Sequence, residues 1–131
     1  MSVVIPERVR RLVHEHLPSM EHVELLLLFV NADPEPRSAT EAARQLQVEV
    51  DVTEKRIAHL VASGLIVSEM VSPGYERFRF QPSGLALRQS VEDLVEAYRS
   101  RPVSLIRVVY ERPPESAQRF ADAFRLRKDP E

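Results

Sequence analysis

The segment Asp51-Val-Thr-Glu-Lys-Arg-Ile-Ala-His-Leu-Val-Ala-Ser-Gly-Leu-Ile66 says more about the architecture than any other stretch of the chain. Asp51 and Glu54 have the spacing of a capping box, and Ile57, Leu60 and Val61 form an apolar stripe at helical spacing. Gly64 stands at the C′ position, where a helix ends in a left-handed residue. Leu65 and Ile66 then open a β-branched run to Val71, so the chain passes from helix to strand across a single glycine. Upstream, Ser38 and Glu41 make a second capping box, and Ala39, Ala42, Ala43 and Leu46 give a short helix with a small-residue face. About five residues, Gln47 to Asp51, separate the two predicted helices, which is helix-turn-helix spacing.

Downstream, Glu76 to Gln81 alternates, with Phe78 and Phe80 on one side and Arg77 and Arg79 on the other. Ser72-Pro73-Gly74-Tyr75 supplies proline and glycine where a type II turn needs them, so residues 65–81 read as a β-hairpin. Pro6 starts a first helix carrying Val9, Leu12, Val13, His16 and Leu17, and Pro18 stops it. Ser19 caps a second, Met20 to Val30, which is apolar nearly all round and is expected to be the most buried. The prolines of Asn31 to Arg37 enforce a loop. After Gly84, Leu87, Val91, Leu94, Val95 and Tyr98 form a helical stripe, Val103 to Tyr110 is a short apolar helix or strand, and Pro113-Pro114 opens a last helix with Ala117, Phe120, Ala121 and Phe124.

These elements predict a mainly α single domain over 1–131 with a small β-hairpin. Helical extensions at 1–31 and 83–128 would flank a core at 38–82. The length, 131 residues with 44% apolar content, supports one sizeable core. No cysteine is present, which excludes thiolate chemistry and disulfides and suits a reducing cytoplasm. Neither an export signal nor a run of the roughly 20 apolar residues of a membrane span is expected. Net charge is −2, but Arg99 to Lys128 holds eight Lys/Arg against three acidic residues, so positive charge gathers towards the C-terminus.

Taken together, Ser38 to Gln81 resembles the winged helix-turn-helix of bacterial transcriptional regulators, most closely the MarR-like group. The resemblance implies a recognition helix at 52–63, a wing at 65–81, double-stranded DNA as the partner and a dimer made by terminal helices. It does not extend to Phe120 to Lys128.

If the core stripe of the 52–63 helix faces inward, Lys55 and His59 point outward with Arg56 beside them, a set suited to guanine acceptors and phosphates. Arg77 and Arg79 on the hairpin would meet the flanking backbone. The expectation is thus a DNA-binding transcriptional regulator acting through Lys55, Arg56, His59, Arg77 and Arg79. Ser38 to Gln81 nevertheless carries five basic against six acidic residues, so the alternative is a protein-interaction adaptor docking through its basic C-terminal helices. His14-Glu15-His16 does not suggest a metal site, because residues two apart on a helix diverge. No cofactor is implied. The three glycines, 64, 74 and 84, all serve caps or turns, leaving none for a phosphate cradle, and no nucleophile-base pairing points to an enzyme. The stripes on Val9 to Leu17, Leu87 to Tyr98 and Phe120 to Phe124 suggest a homodimer.

Overall fold

The computed structural model describes residues 5–111. Six helices and one antiparallel hairpin follow in the order α1 (Glu7–His16), α2 (Met20–Ala32), α3 (Ala39–Leu46), α4 (Val50–Ala62), β1 (Ile66–Ser72), β2 (Tyr75–Phe80), α5 (Leu85–Ser100) and α6 (Pro102–Tyr110). The architecture is therefore mainly helical with a two-stranded hairpin, as the sequence predicts. The expected last helix with Phe120 and Phe124 lies outside the described residues.

α2 is the centre of the core. Ser19 caps it through its side chain, and Val23 and Leu25 through Phe29 are all buried. A helix apolar on every side needs neighbours on every side, and α2 touches α3, α4 and the hairpin. α1 contributes Val9, Leu12 and Val13, with Leu17 just beyond its end; α5 contributes Val91, Leu94 and Ala97; α6 contributes Leu105, Val108 and Val109. The α1 stripe and the heart of the α5 stripe, both expected at a dimer contact, are thus consumed inside one chain.

The capping box at Ser38 forms in full: Glu41 N–H donates to Ser38 Oγ at 3.1 Å and Ser38 N–H donates to Glu41 Oε1 at 2.9 Å. The box expected at Asp51 and Glu54 does not form. α4 starts earlier, at Val50 with Glu49 as its N-cap, because Gln47 takes a left-handed conformation (φ 59°) and turns the chain immediately after α3. Asp51 Oδ1 accepts from Val52 N–H instead, and Thr53 Oγ1 donates back to the Glu49 carbonyl. The end of α4 is as expected. Gly64 has φ +78°, its N–H donates to the Val61 carbonyl and that of Leu65 to the Leu60 carbonyl, the paired bonds of a Schellman motif.

In the hairpin Ile66 pairs with Phe80 and Ser68 with Phe78, and a bulge falls between Met70 and Ser72. Gly74 supplies the positive φ, +77°, that the type II turn asks for. Arg37, just before α3, exchanges two backbone hydrogen bonds of 2.8 Å with Phe78, adding a one-residue third strand beside β2. That bridge ties the hairpin to the start of α3 and sets the geometry of the space between them. The segment Val103 to Tyr110, open between helix and strand in the sequence, is helical, with Pro102 in its first turn.

Candidate functional site

A cleft of about 900 Å³ opens between α3 and α4 on one side and the hairpin on the other. Its helical walls are built of small residues: Ala39 from α3, and Ala58 and Ala62 one turn apart on α4, with Ile57 and Val61 below. Tyr75 and Phe78 form the hairpin wall. Glu41, Glu54, Glu76 and Arg44 stand among the lining side chains, so three carboxylates meet one guanidinium there. Small residues on both helices leave room for a bulky apolar group close to the backbone, and Tyr75 and Phe78 offer aromatic surface opposite.

The five residues expected to contact DNA fall in different settings. Lys55 is exposed on α4. Arg56 is half-buried, and its charge helps hold the nearby Glu21 carboxyl below its ordinary value, after hydrogen bonds from the Glu21 backbone and from Ser19. His59 does not point outward: its Nε2–H donates to the carbonyl of His16 at 2.8 Å, and its ring meets His22 edge-on at 5.1 Å. The inward-outward wheel failed here because α4 is covered along two sides, by its own core stripe and by the end of α1 with the start of α2. A residue opposite the first is not opposite the second. His59 closes an open carbonyl in the last turn of α1, an orphan acceptor of that helix end. His14 likewise donates to a carbonyl near the end of α6, that of Val108 at 2.9 Å, which also accepts the Glu111 N–H.

Arg77 and Arg79 are each engaged by a carboxylate of the chain. Arg77 Nη2 donates to both oxygens of Glu41, at 2.9 and 2.7 Å, and its guanidinium lies over the Tyr75 ring at 5.4 Å. Arg77 Nε is buried without a hydrogen-bond partner. Glu41 sits below its ordinary value because it accepts the Ser38 backbone N–H and faces Arg77. Arg79 Nε donates to Glu69 at 2.7 Å across the hairpin. The structure therefore brings Arg77 to the edge of the cleft, keeps Arg79 on the hairpin and Lys55 on the open side of α4, and sends Arg56 and His59 towards the N-terminal helices.

Sequence reasoning overlooked Ala58, Ala62, Glu54, Arg44 and Tyr75. The available signal was an alanine pair four apart on a helix whose core stripe was already complete, which leaves small side chains facing away from the core. Among the described residues no group of three or more His, Asp and Glu is arranged to hold a metal ion, and no helix is long and apolar enough to cross a membrane. No protein-family model matches the chain, and no curated protein matches it in sequence.

Proposed function

We propose that this chain is a winged-helix protein-interaction module, with α3 and α4 as the helix-turn-helix, the hairpin as the wing, and the cleft between them as the binding site. The observation that carries the reading is the cleft itself: alanine-lined and aromatic-walled, with the arginine at its edge already neutralised by Glu41. Phosphate neutralisation supplies much of the affinity of a DNA-binding protein, and here the two hairpin cations, Arg77 and Arg79, are spent on internal pairs. The partner that fits is a protein segment offering a bulky apolar side chain flanked by Lys or Arg. The apolar group would fill the space over Ala58 and Ala62, and the cations would face Glu54 and Glu76. Such a module binds and performs no catalytic step. A cytoplasmic setting fits the cysteine-free composition.

The second reading is a MarR-like DNA-binding regulator, favoured by the exposure of Lys55 on α4 and of Arg44 on α3, which have no carboxylate partner among the described residues. The two readings separate on the purified full chain. In fluorescence anisotropy with a duplex of about 30 base pairs at low salt, the module should show no binding below roughly 10 µM, within the range of ordinary non-specific complexes. Peptides selected from a random display library should share an aromatic or large aliphatic residue next to Lys or Arg, and Ala58→Trp, which fills the cleft, should abolish their binding. Tight, salt-sensitive DNA binding lost in Lys55→Ala, or selected peptides indifferent to Ala58→Trp, would overturn the module in favour of the regulator.

A further inference from the structure

The hairpin has two edges, and Arg37 covers the one on β2. Phe78 turns its N–H and C=O away from β1, since both are bonded to Arg37. Ser68 stands directly opposite Phe78 in the register, so its own N–H and C=O point away from β2, and by alternation so do those of Met70. The Gln81 N–H, bonded to the Leu65 carbonyl, fixes the same phase from the base of the hairpin. Among the described residues none bonds these four groups, and Ser68 and Met70 are both exposed. Unpaired donors and acceptors along a strand edge are a template for another strand. The open edge is short, because Ile66 towards the base is buried and the bulge follows Met70.

We propose that this edge takes a short extended segment of a partner protein as an added strand, with the side chain opposite Ser68 entering the cleft. The inference rests on the interaction-module reading and adds to it the way in which the partner is held. Directly opposed residues of paired strands share a face, and Ser68 lines the cleft with Phe78 and Glu76. The partner residue at that level therefore turns its side chain towards Ala58 and Ala62. The residue two places along pairs with Met70 and brings a Lys or Arg near Glu76, the cross-strand neighbour of Met70. Main-chain bonds then supply affinity, and the cleft supplies selection. The edge is unsuited to a second copy of the chain. Paired about a two-fold axis at Ser68, each Met70 would have to bond Ile66, which is buried. An axis at Glu69 sets that carboxylate opposite its own copy, a like-charge pair that destabilises a sheet, and an axis at Met70 runs into the bulge.

Amide exchange on the unaltered full chain, read residue by residue by NMR, tests the added strand with the tightest peptide from the display selection as probe. In the free chain the Ser68 and Met70 amides should exchange faster than those of Val67 and Glu69, which point into the hairpin ladder. Saturating peptide should slow the Ser68 amide by roughly tenfold or more. Methylating the peptide's backbone nitrogens one at a time should weaken binding about tenfold at alternate residues and little at those between. Slowing confined to 70–76 with Ser68 unchanged, losses at spacings of three and four, or tolerance of every N-methyl group would overturn the added strand while leaving the cleft as the binding site. A selection that yields no peptide, or peptides indifferent to Ala58→Trp, would overturn the strand and the module together.

Discussion

Replacing Glu41 with glutamine removes one negative charge and leaves almost everything else in place. The glutamine carbonyl can still accept the Ser38 N–H, so the capping box survives, while the Arg77 guanidinium loses its counter-ion. A hydrogen bond to a charged group contributes about 1.5–3 kcal/mol. The side chains of Arg77 and Glu41 are 24% and 38% exposed, and solvent screening lowers the pair's share to about 1 kcal/mol. The half-buried Arg77 Nη2 is left without its charged acceptor, which adds a desolvation cost and brings the total to about 1–2 kcal/mol. For a domain of this size that lowers the melting temperature by roughly 3–8 °C. Thermal melts of Glu41→Gln, Arg77→Met and the double variant, followed by circular dichroism, should give a coupling of about 1 kcal/mol that shrinks in about 1 M salt. Strictly additive single effects would refute the reasoning, since the two side chains would then contribute independently.

Gly64→Ala should destabilise by about 1–2 kcal/mol, because φ is +78° and a Cβ would stand 2.8 Å from Ser83 Oγ. A melt showing no loss, or one unrelieved by Ser83→Ala, would count against that contact. Gln47→Gly should act in the opposite direction, raising stability by up to about 1 kcal/mol, since glutamine there occupies a left-handed position at φ 59°; a lower melting temperature would contradict it. His22 is held below its ordinary value of 6.5 by burial, then by His59 and Arg56, so the unfolded chain takes up its proton first. Stability is therefore at its plateau above about 6.5 and falls as pH drops through the lower folded pKa, and His22→Gln should flatten melting curves collected between about pH 7.5 and pH 5. An unchanged pH slope in that variant would remove His22 as the cause.

What could be read from the sequence was whatever depends on neighbours close in the chain. The Ser38 box, the Gly64 stop, the all-apolar α2 and the Pro73-Gly74 turn each rest on a few adjacent residues, and each forms. The expectations that differ from the structure turn on backbone conformation or on partners from other elements. Asp51 has the spacing of a cap, yet the left-handed Gln47 brings Glu49 to that position first. His59 lies opposite the core stripe on a helical wheel, but the end of α1 lies there too. The pairing of Arg77 with Glu41 spans 36 residues, and no spacing rule reaches that far. Arg79 with Glu69 could have been found: Glu69 opposes Arg77 in the hairpin register, so Arg79 is its diagonal neighbour. The site was missed for the same reason, because a cleft between α4 and a hairpin is a property of how the two pack.

The single-residue bridge at Arg37 divides the hairpin into two halves of unequal security. Its base is held by Arg37, by the buried pair Ile66 and Phe80, and by the Gln81 N–H bonded to Leu65, whereas its far end leaves Met70, Val71 and Tyr75 exposed around the bulge. An isolated two-stranded ribbon is barely stable in water, so opening should cost least at the tip and most at the base. Tyr75 and Gly74 line the cleft from that tip. The width of the cleft mouth thus depends on a lightly held ribbon tip, and it can change without movement of the helices behind it. A partner that grips Tyr75 would slow amide exchange along 70–76 while leaving α2 unchanged, and its affinity would include the free energy of ordering that ribbon.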